Sequence, residues 1–509
     1  MAKRTNMMYP LGVTITESGA EILVQAEAEK VSLLLFKAGE KESFEQFEFQ
    51  PEDRIGDVWT MSLPGYDFKG LEYGFVADGT WFVDPYAKAV TGRKVWGSVE
   101  EVTGEWPSVR ARVTDPTFNW DTDKKPSIPY ADTILYRFHV RGLTKHPSSH
   151  VRNKGTFAGV VEMIPYFKSL GVTSLELMPV AEFDEVMKDL VPAETPGGNP
   201  KLKANGKLNY WGYGPTFRYV PKAAYGTGFM PVEIEFKIMV KELHDAGLEC
   251  IPEMYFSGEE SIPQVLDVLR YWTEEYHVDG FKLSGVVPKE AIAADPFLKD
   301  LKLFADDWSG VLAKNTKKQT GAGNPDVSVR AKRLAEYNDK FQMDMRRILR
   351  GDQGMVENLM AWTMKNPTDH AVINFMANTN GFTMMDMVTY DEKHNEANGE
   401  DNHDGTNYNA SWNCGIEGPT DNEKVNKLRK QQLYNAFLML LLSQGTPLIM
   451  AGDEFGNTQY GNNNAYCQDN EISWLDWNQL EENSELFQVV REFIRFRKEH
   501  KLFHMDHTA

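Results

Sequence analysis

The chain has 509 residues, 41% of them hydrophobic and 25% charged, the composition of an ordinary globular protein with room for a large α/β domain and an accessory one. Lys and Arg number 54 against 74 Asp and Glu, and the resulting formal charge of -20 repels nucleic-acid backbones and anionic lipid surfaces, so a neutral ligand is expected. No apolar run reaches the ~18 residues a membrane span needs, and the first residues lead into no signal-like apolar core. Cys250, Cys414 and Cys467 are odd in number and far apart, which argues against a disulfide framework or a CxxC metal site. These features together predict a cytosolic protein with reduced thiols, no metal, no cofactor, no nucleic-acid partner and no membrane contact.

In chain order, residues 1–103 carry short alternating apolar runs, among them Ile22-Leu-Val-Gln-Ala and Val31-Ser-Leu-Leu-Leu-Phe, divided by Gly, Pro and acidic turns. This pattern predicts a small β-sandwich. Residues 104–132 are rich in Pro, Asp and Thr and read as a linker. From 133 to 509, strand-like apolar runs at 134–140, 172–178, 248–255, 278–284, 301–305, 330–337, 372–377 and 447–451 alternate with helical patterns at 157–170, 232–246, 262–276, 341–350 and 425–442. A further amphipathic helix is expected at 484–499. Eight parallel strands with helices between them predict a (β/α)8 (TIM) barrel, which carries its chemistry on the loops after the strands. Long insertions at 182–208, 307–329 and 391–424 fall on that face. No C-terminal β-sandwich is expected after the barrel.

Particular strings then narrow the reading. In the first domain these are Val58-Trp59, Leu63-Pro64-Gly65, Tyr73-Gly74-Phe75 and Asp84-Pro-Tyr-Ala-Lys. In the barrel, Tyr136-Arg-Phe-His-Val-Arg-Gly-Leu-Thr marks the first strand, and Leu177-Met-Pro-Val and Asn209-Tyr-Trp-Gly-Tyr follow the second. The most specific are late: Asp391-Glu-Lys-His-Asn-Glu-Ala-Asn-Gly-Glu-Asp-Asn-His-Asp-Gly-Thr-Asn, Ser411-Trp-Asn-Cys-Gly and Gly461-Asn-Asn-Asn-Ala-Tyr-Cys-Gln-Asp-Asn-Glu. Together they resemble the isoamylase and glycogen-debranching group of glycoside hydrolase family 13, the α-amylase superfamily. In that group a family 48 carbohydrate-binding module precedes the barrel, and the substrates are α-1,6 branch points of glycogen and starch.

The resemblance also implies where the chemistry should stand. A retaining glycosidase needs a nucleophilic carboxylate and a carboxylic acid ~5 to 5.5 Å apart. The family's Arg and nucleophilic Asp on strand four correspond to Lys282 and Ser284, and its acid after strand five to Asp306, one methylene short of a Glu. Its His-Asp pair after strand seven corresponds to Thr379 and Asn380, and its Asp, Asn and His after strand three to Glu253, Ser257 and Gly258. The resemblance places Tyr136, Trp211, Tyr213, Glu253, Lys282 and Thr379 around the central sugar subsite, although the aromatic positions suit barrel packing equally. Trp59, Tyr73 and Trp81 are weaker sugar-stacking candidates, and His394 and His403 read as loop hydrogen-bonders without metal-ligand spacing.

The resulting expectation is a catalytically silent relative of a debranching enzyme that binds an α-glucan (glycogen, starch or a branched maltooligosaccharide) or partners an active debranching paralogue. Two alternatives stay open at this point: a hydrolase using altered carboxylates such as Glu253, Asp306 or Asp307, and a scaffold that no longer engages carbohydrate.

Overall fold

The computed structural model describes residues 9–98, 106–114, 117–191, 201–312 and 332–507. Two compact units are present: one from the described residues of 9–119, 181–207 and 215–236, the other from 120–180, 208–214 and 237–507.

The first unit is built on two antiparallel sheets. One runs in the order Gly12–Thr16, Gly19–Gln25, Val58–Pro64, Arg54–Ile55, and the other in the order Glu45–Glu48, Val31–Lys37, Leu71–Ala77, Ala111–Arg112, Ala89–Val90. Alternation along each strand sends every second side chain inward, so Ile22, Val24, Val31, Leu33, Leu35, Trp59, Met61 and Phe75 form one buried core. Trp59 and Tyr73 belong to that core: the indole N–H of Trp59 donates to the Ala26 carbonyl at 3.1 Å, and the Tyr73 hydroxyl donates to Asp84 at 2.8 Å. Trp81 lies over Gly74, where an added Cβ would come within 2.1 Å of its ring, and its centroid is 5.7 Å from that of Trp106. The predicted insertion at 182–208 begins here in the strand Ala181–Phe183, which pairs antiparallel with Thr216–Pro221 beyond the insertion, and beside it the fully buried Lys222 is neutralised by Glu182 at 2.5 Å and Glu185 at 2.7 Å.

The second unit is a closed parallel barrel whose eight strands follow one another in sequence order: β1 Leu135–Phe138, β2 Ser174–Leu177, β3 Glu249–Phe256, β4 Gly280–Gly285, β5 Lys302–Ala305, β6 Leu334–Tyr337, β7 Ala371–Phe375 and β8 Thr446–Met450. All eight lie within or against the predicted runs, and the last helix is Ser484–Glu499 as expected. Two boundaries differ for clear reasons. Strand β1 stops at Phe138 because the His139 imidazole accepts from the Gly142 N–H at 3.1 Å and so starts the helix Val140–Thr144. The single helix expected at 157–170 is two, Phe157–Glu162 and Ile164–Leu170, because Pro165 has no N–H to continue the ladder. The predicted start of strand six at Arg330, most of the 307–329 insertion and part of 182–208 lie outside the described residues.

Strand parity divides the barrel interior into layers. Leu135, Ile251, Phe304, Ala335, Ala371, Ile373, Phe375 and Leu448 make the apolar middle. Beneath it, Lys302 is ion-paired to Glu249 and donates to the Thr133 hydroxyl at 2.9 Å. Glu249 also accepts from Ser174 at 2.6 Å and from the Ile128 N–H at 2.9 Å. Above the apolar layer, at the C-terminal strand ends, lies a second polar layer.

Candidate functional site at the barrel mouth

Arg137 of β1 organises this upper layer. Its side chain is 3% exposed, and its guanidinium is ion-paired to Glu176 of β2 and, at 2.7 Å, to Glu253 of β3. It also donates to the Thr379 hydroxyl at 2.9 Å and to the Tyr213 hydroxyl at 3.3 Å. Tyr213 in turn donates to Glu253 at 3.1 Å, and Tyr337 of β6 donates to Glu176. Burial works against the charge on Arg137, yet Glu253 and Glu176 outweigh it and raise its pKa well above the ordinary value. The Glu176 carboxyl is pushed up by burial, which Arg137 only partly opposes. Burial, with the neighbouring carboxylates, also raises Tyr213 and Tyr337, so both remain neutral donors.

Lys282 and Ser284 of β4 share the inward parity. Glu253 and Lys282 are register partners on adjacent strands, as are Tyr255 and Ser284. The Lys282 ammonium sits 2.5 Å from Asp306 and 4.0 Å from the centre of the Tyr337 ring, and it is buried while Asp306 is 75% exposed. The Ser284 hydroxyl is buried and has no hydrogen-bond partner among the described residues. Asp339, first residue of the helix Asp339–Arg350, faces the same group: burial raises its carboxyl pKa and the charge of Asp306 adds to that rise.

The structure thus brings Tyr213, Glu253, Lys282, Ser284, Asp306 and Thr379 into one layer or its rim, and leaves Asn380 exposed on the loop after β7. It corrects two expected sugar contacts. Tyr136 is fully buried with the opposite parity to Arg137, packs 5.6 Å from Phe167 on the surrounding helices, and donates to Glu454 at 2.7 Å. It therefore does not reach the mouth. Trp211 is buried edge-on to Tyr213 and Tyr466, at 6.3 and 6.4 Å, which is packing and not an open stacking platform. Ser257 hydrogen-bonds to Glu260 at 3.3 Å, and an added Cβ on Gly258 would meet Val286 at 3.0 Å. The His394 imidazole hydrogen-bonds to Glu417 at 3.4 Å, the backbone N–H of His403 donates to the Glu400 carbonyl at 2.9 Å, and no described His, Cys, Asp or Glu side chains form a group able to hold a metal ion.

Sequence reasoning missed Arg137, Glu176, Tyr337 and Asp339. Parity along Leu135-Tyr-Arg-Phe was the available signal for the first of these, since it puts Arg137 and not Tyr136 inside.

The comparisons with known proteins agree with the fold. The carbohydrate-binding module 48 family (isoamylase N-terminal domain) matches residues 10–87. A glycogen operon protein GlgX homolog of Mycobacterium bovis is 32% identical over 97% of this chain and 79% of its own length. Isoamylase 1, chloroplastic, of Oryza sativa subsp. japonica is 30% identical over 97% of this chain and 72% of its own length. Among solved structures, pullulanase from Paenibacillus barengoltzii in complex with maltohexaose and alpha-cyclodextrin shares the fold with a TM-score of 0.70 at 19% identity, over 96% of this chain and 81% of that one. The chain belongs to the isoamylase and glycogen-debranching group of glycoside hydrolase family 13.

Proposed function

We propose that this member of the group is catalytically silent and serves α-glucan metabolism by binding a glycogen- or starch-type glucan, or by partnering an active debranching enzyme. The observation that carries the reading is the state of β4 and its neighbours. Where glycoside cleavage needs a free carboxylate nucleophile, Ser284 offers a neutral hydroxyl with no base bonded to it among the described residues. Glu253 is committed to Arg137 and Tyr213, and Asp306 is held by Lys282. Groups that act as a unit lose most of their effect together, so activity at or below ~10⁻⁴ of a competent enzyme is expected.

One observation favours an altered hydrolase instead: exposed Asp306 lies close enough to Asp339 to add to the rise that burial causes in the Asp339 carboxyl pKa, as the partners of an acid pair would influence one another. Reducing-end release from amylopectin and pullulan separates the two readings. Silence predicts none above background, and Ser284→Asp alone does not restore it because Asp306, Thr379 and Asn380 remain. Turnover that survives Ser284→Ala and vanishes in Asp339→Asn or Asp306→Asn would overturn silence. Retarded migration in native gels containing glycogen is expected for the binding role; unretarded migration would leave only the partner role.

A further inference from the structure

A cavity of about 310 Å³ opens at the N-terminal end of the barrel, away from the mouth, where Thr173 and Ile134 precede the first two strands and Arg497, Lys498 and His504 arrive from the last helix and its exit. We propose that it is a binding site for a small phosphate-bearing ligand of monosaccharide size.

The argument begins with charge. The Arg497 guanidinium donates to the carbonyls of Leu441 at 2.8 Å, Ser443 at 2.6 Å and Gly445 at 2.6 Å, and the Lys498 ammonium donates to the Gly171 carbonyl at 2.6 Å. Among the described residues neither cation has a carboxylate within ion-pairing distance. The lining acid is Asp132, half exposed and 2.9 Å from Nδ1 of His504. Two cations against one acid give the cavity a positive excess in a chain whose formal charge is -20. Both are weakened by their surroundings: burial lowers Arg497 to about 10 and lowers Lys498, with Asp132 opposing only in part. An anion in the cavity would offset that cost.

His504 adds chemical selectivity. It is 9% exposed, and its Nε2 is buried without a partner among the described residues. Because the Asp132 carboxylate can only accept, Nδ1 carries the proton, and Nε2 of the neutral ring is an acceptor. The monoanion of a phosphate monoester, accessible because its second pKa lies near ~6, supplies both a P–O–H to donate to Nε2 and charged oxygens for the two cations, whereas sulfate holds no proton near neutral pH. The volume, near the lower end of the range for small-molecule sites, suits one sugar ring with its phosphate.

The test is calorimetric titration of the full chain with inorganic phosphate, glucose 6-phosphate, sulfate and glucose, repeated on Lys498→Gln and His504→Gln. Both phosphates should bind, the ester more tightly, with sulfate at least ~5-fold weaker and glucose silent; charge-assisted contacts of this kind predict a ~10-fold loss in Lys498→Gln. His504→Gln should abolish the preference for phosphate over sulfate. Equal affinity for phosphate and ester would overturn the monosaccharide assignment. Affinities unchanged in both variants would place the anion elsewhere and overturn the site. If a variant fails to fold, the wild-type chain still decides: at ten times Kd the ester should raise Tm by about 1 °C over an equal ionic strength of chloride, and no rise overturns the proposal.

Discussion

The barrel interior contains two buried polar layers, and they differ in how completely they are satisfied. At the base, Lys302 and Glu249 neutralise each other, and Ser174, Thr133 and the Ile128 N–H take up further bonding capacity. At the mouth, Arg137 is equally well satisfied by Glu176, Glu253, Tyr213 and Thr379, but one strand further the Ser284 hydroxyl has no partner among the described residues and Lys282 reaches out to an exposed Asp306. A polar layer that serves only the fold has no reason to leave a buried hydroxyl without a partner. The base is satisfied throughout; the mouth keeps bonding capacity in reserve at Ser284 and at the solvent-facing Asp306.

That contrast can be broken most sharply at Arg137. Arg137→Met strands two buried carboxylates, and a loss of about 3 to 5 kcal/mol in denaturant unfolding is expected. A loss below about 1 kcal/mol would show that the mouth layer contributes little to the fold. Lys302→Met at the base should cost about 3 kcal/mol, somewhat less because Glu249 keeps two donors, and the double change with Glu249→Leu should recover most of it.

The base is also tied down from outside by His244, whose imidazole lies 2.7 Å from Asp123 and 3.0 Å from Asp279. Burial opposes its charge, but the bonds to Asp279 and Asp123 prevail and raise its pKa above the ordinary value near 6.5. A raised pKa means that the folded state holds the proton more tightly. The stabilisation is therefore full below pH ~6.5 and is lost as pH rises through the folded pKa. Stability should fall over that alkaline window in the native chain and not in His244→Gln.

The smallest effects belong to the mouth's leftovers. Ser284→Ala should be neutral or slightly stabilising, within about 0.5 kcal/mol, since it removes an unpaired buried hydroxyl. Asp306→Asn should cost below about 1 kcal/mol and show that cost only at low salt, because one partner is mostly in water. A large penalty at Ser284 would mean that the hydroxyl has a partner in solution, and the contrast between the layers would weaken.

By itself the sequence determined the architecture. Eight short apolar runs separated by helical patterns are a local signal, repeated often enough that a closed parallel barrel follows, and the Gly-, Pro- and acid-punctuated alternation of the first hundred residues determined a β-sandwich in the same way. The strings after Asp391 and Gly461 determined kinship, and the expectations at Ser284, Asp306 and Asn380 were drawn from that resemblance one position at a time. Tertiary structure alone decided what those positions touch. Arg137 meets Glu176 and Glu253 only because barrel closure brings β1 and β3 to one layer; Tyr136, its neighbour in sequence, is turned outward onto Phe167 by the same pleat. The meeting of Lys498 and His504 with Asp132, 372 residues before His504, is equally invisible along the chain. Periodicity reports which residues are buried, whereas partners separated by a hundred residues or more are chosen by closure and strand parity, which no local pattern encodes.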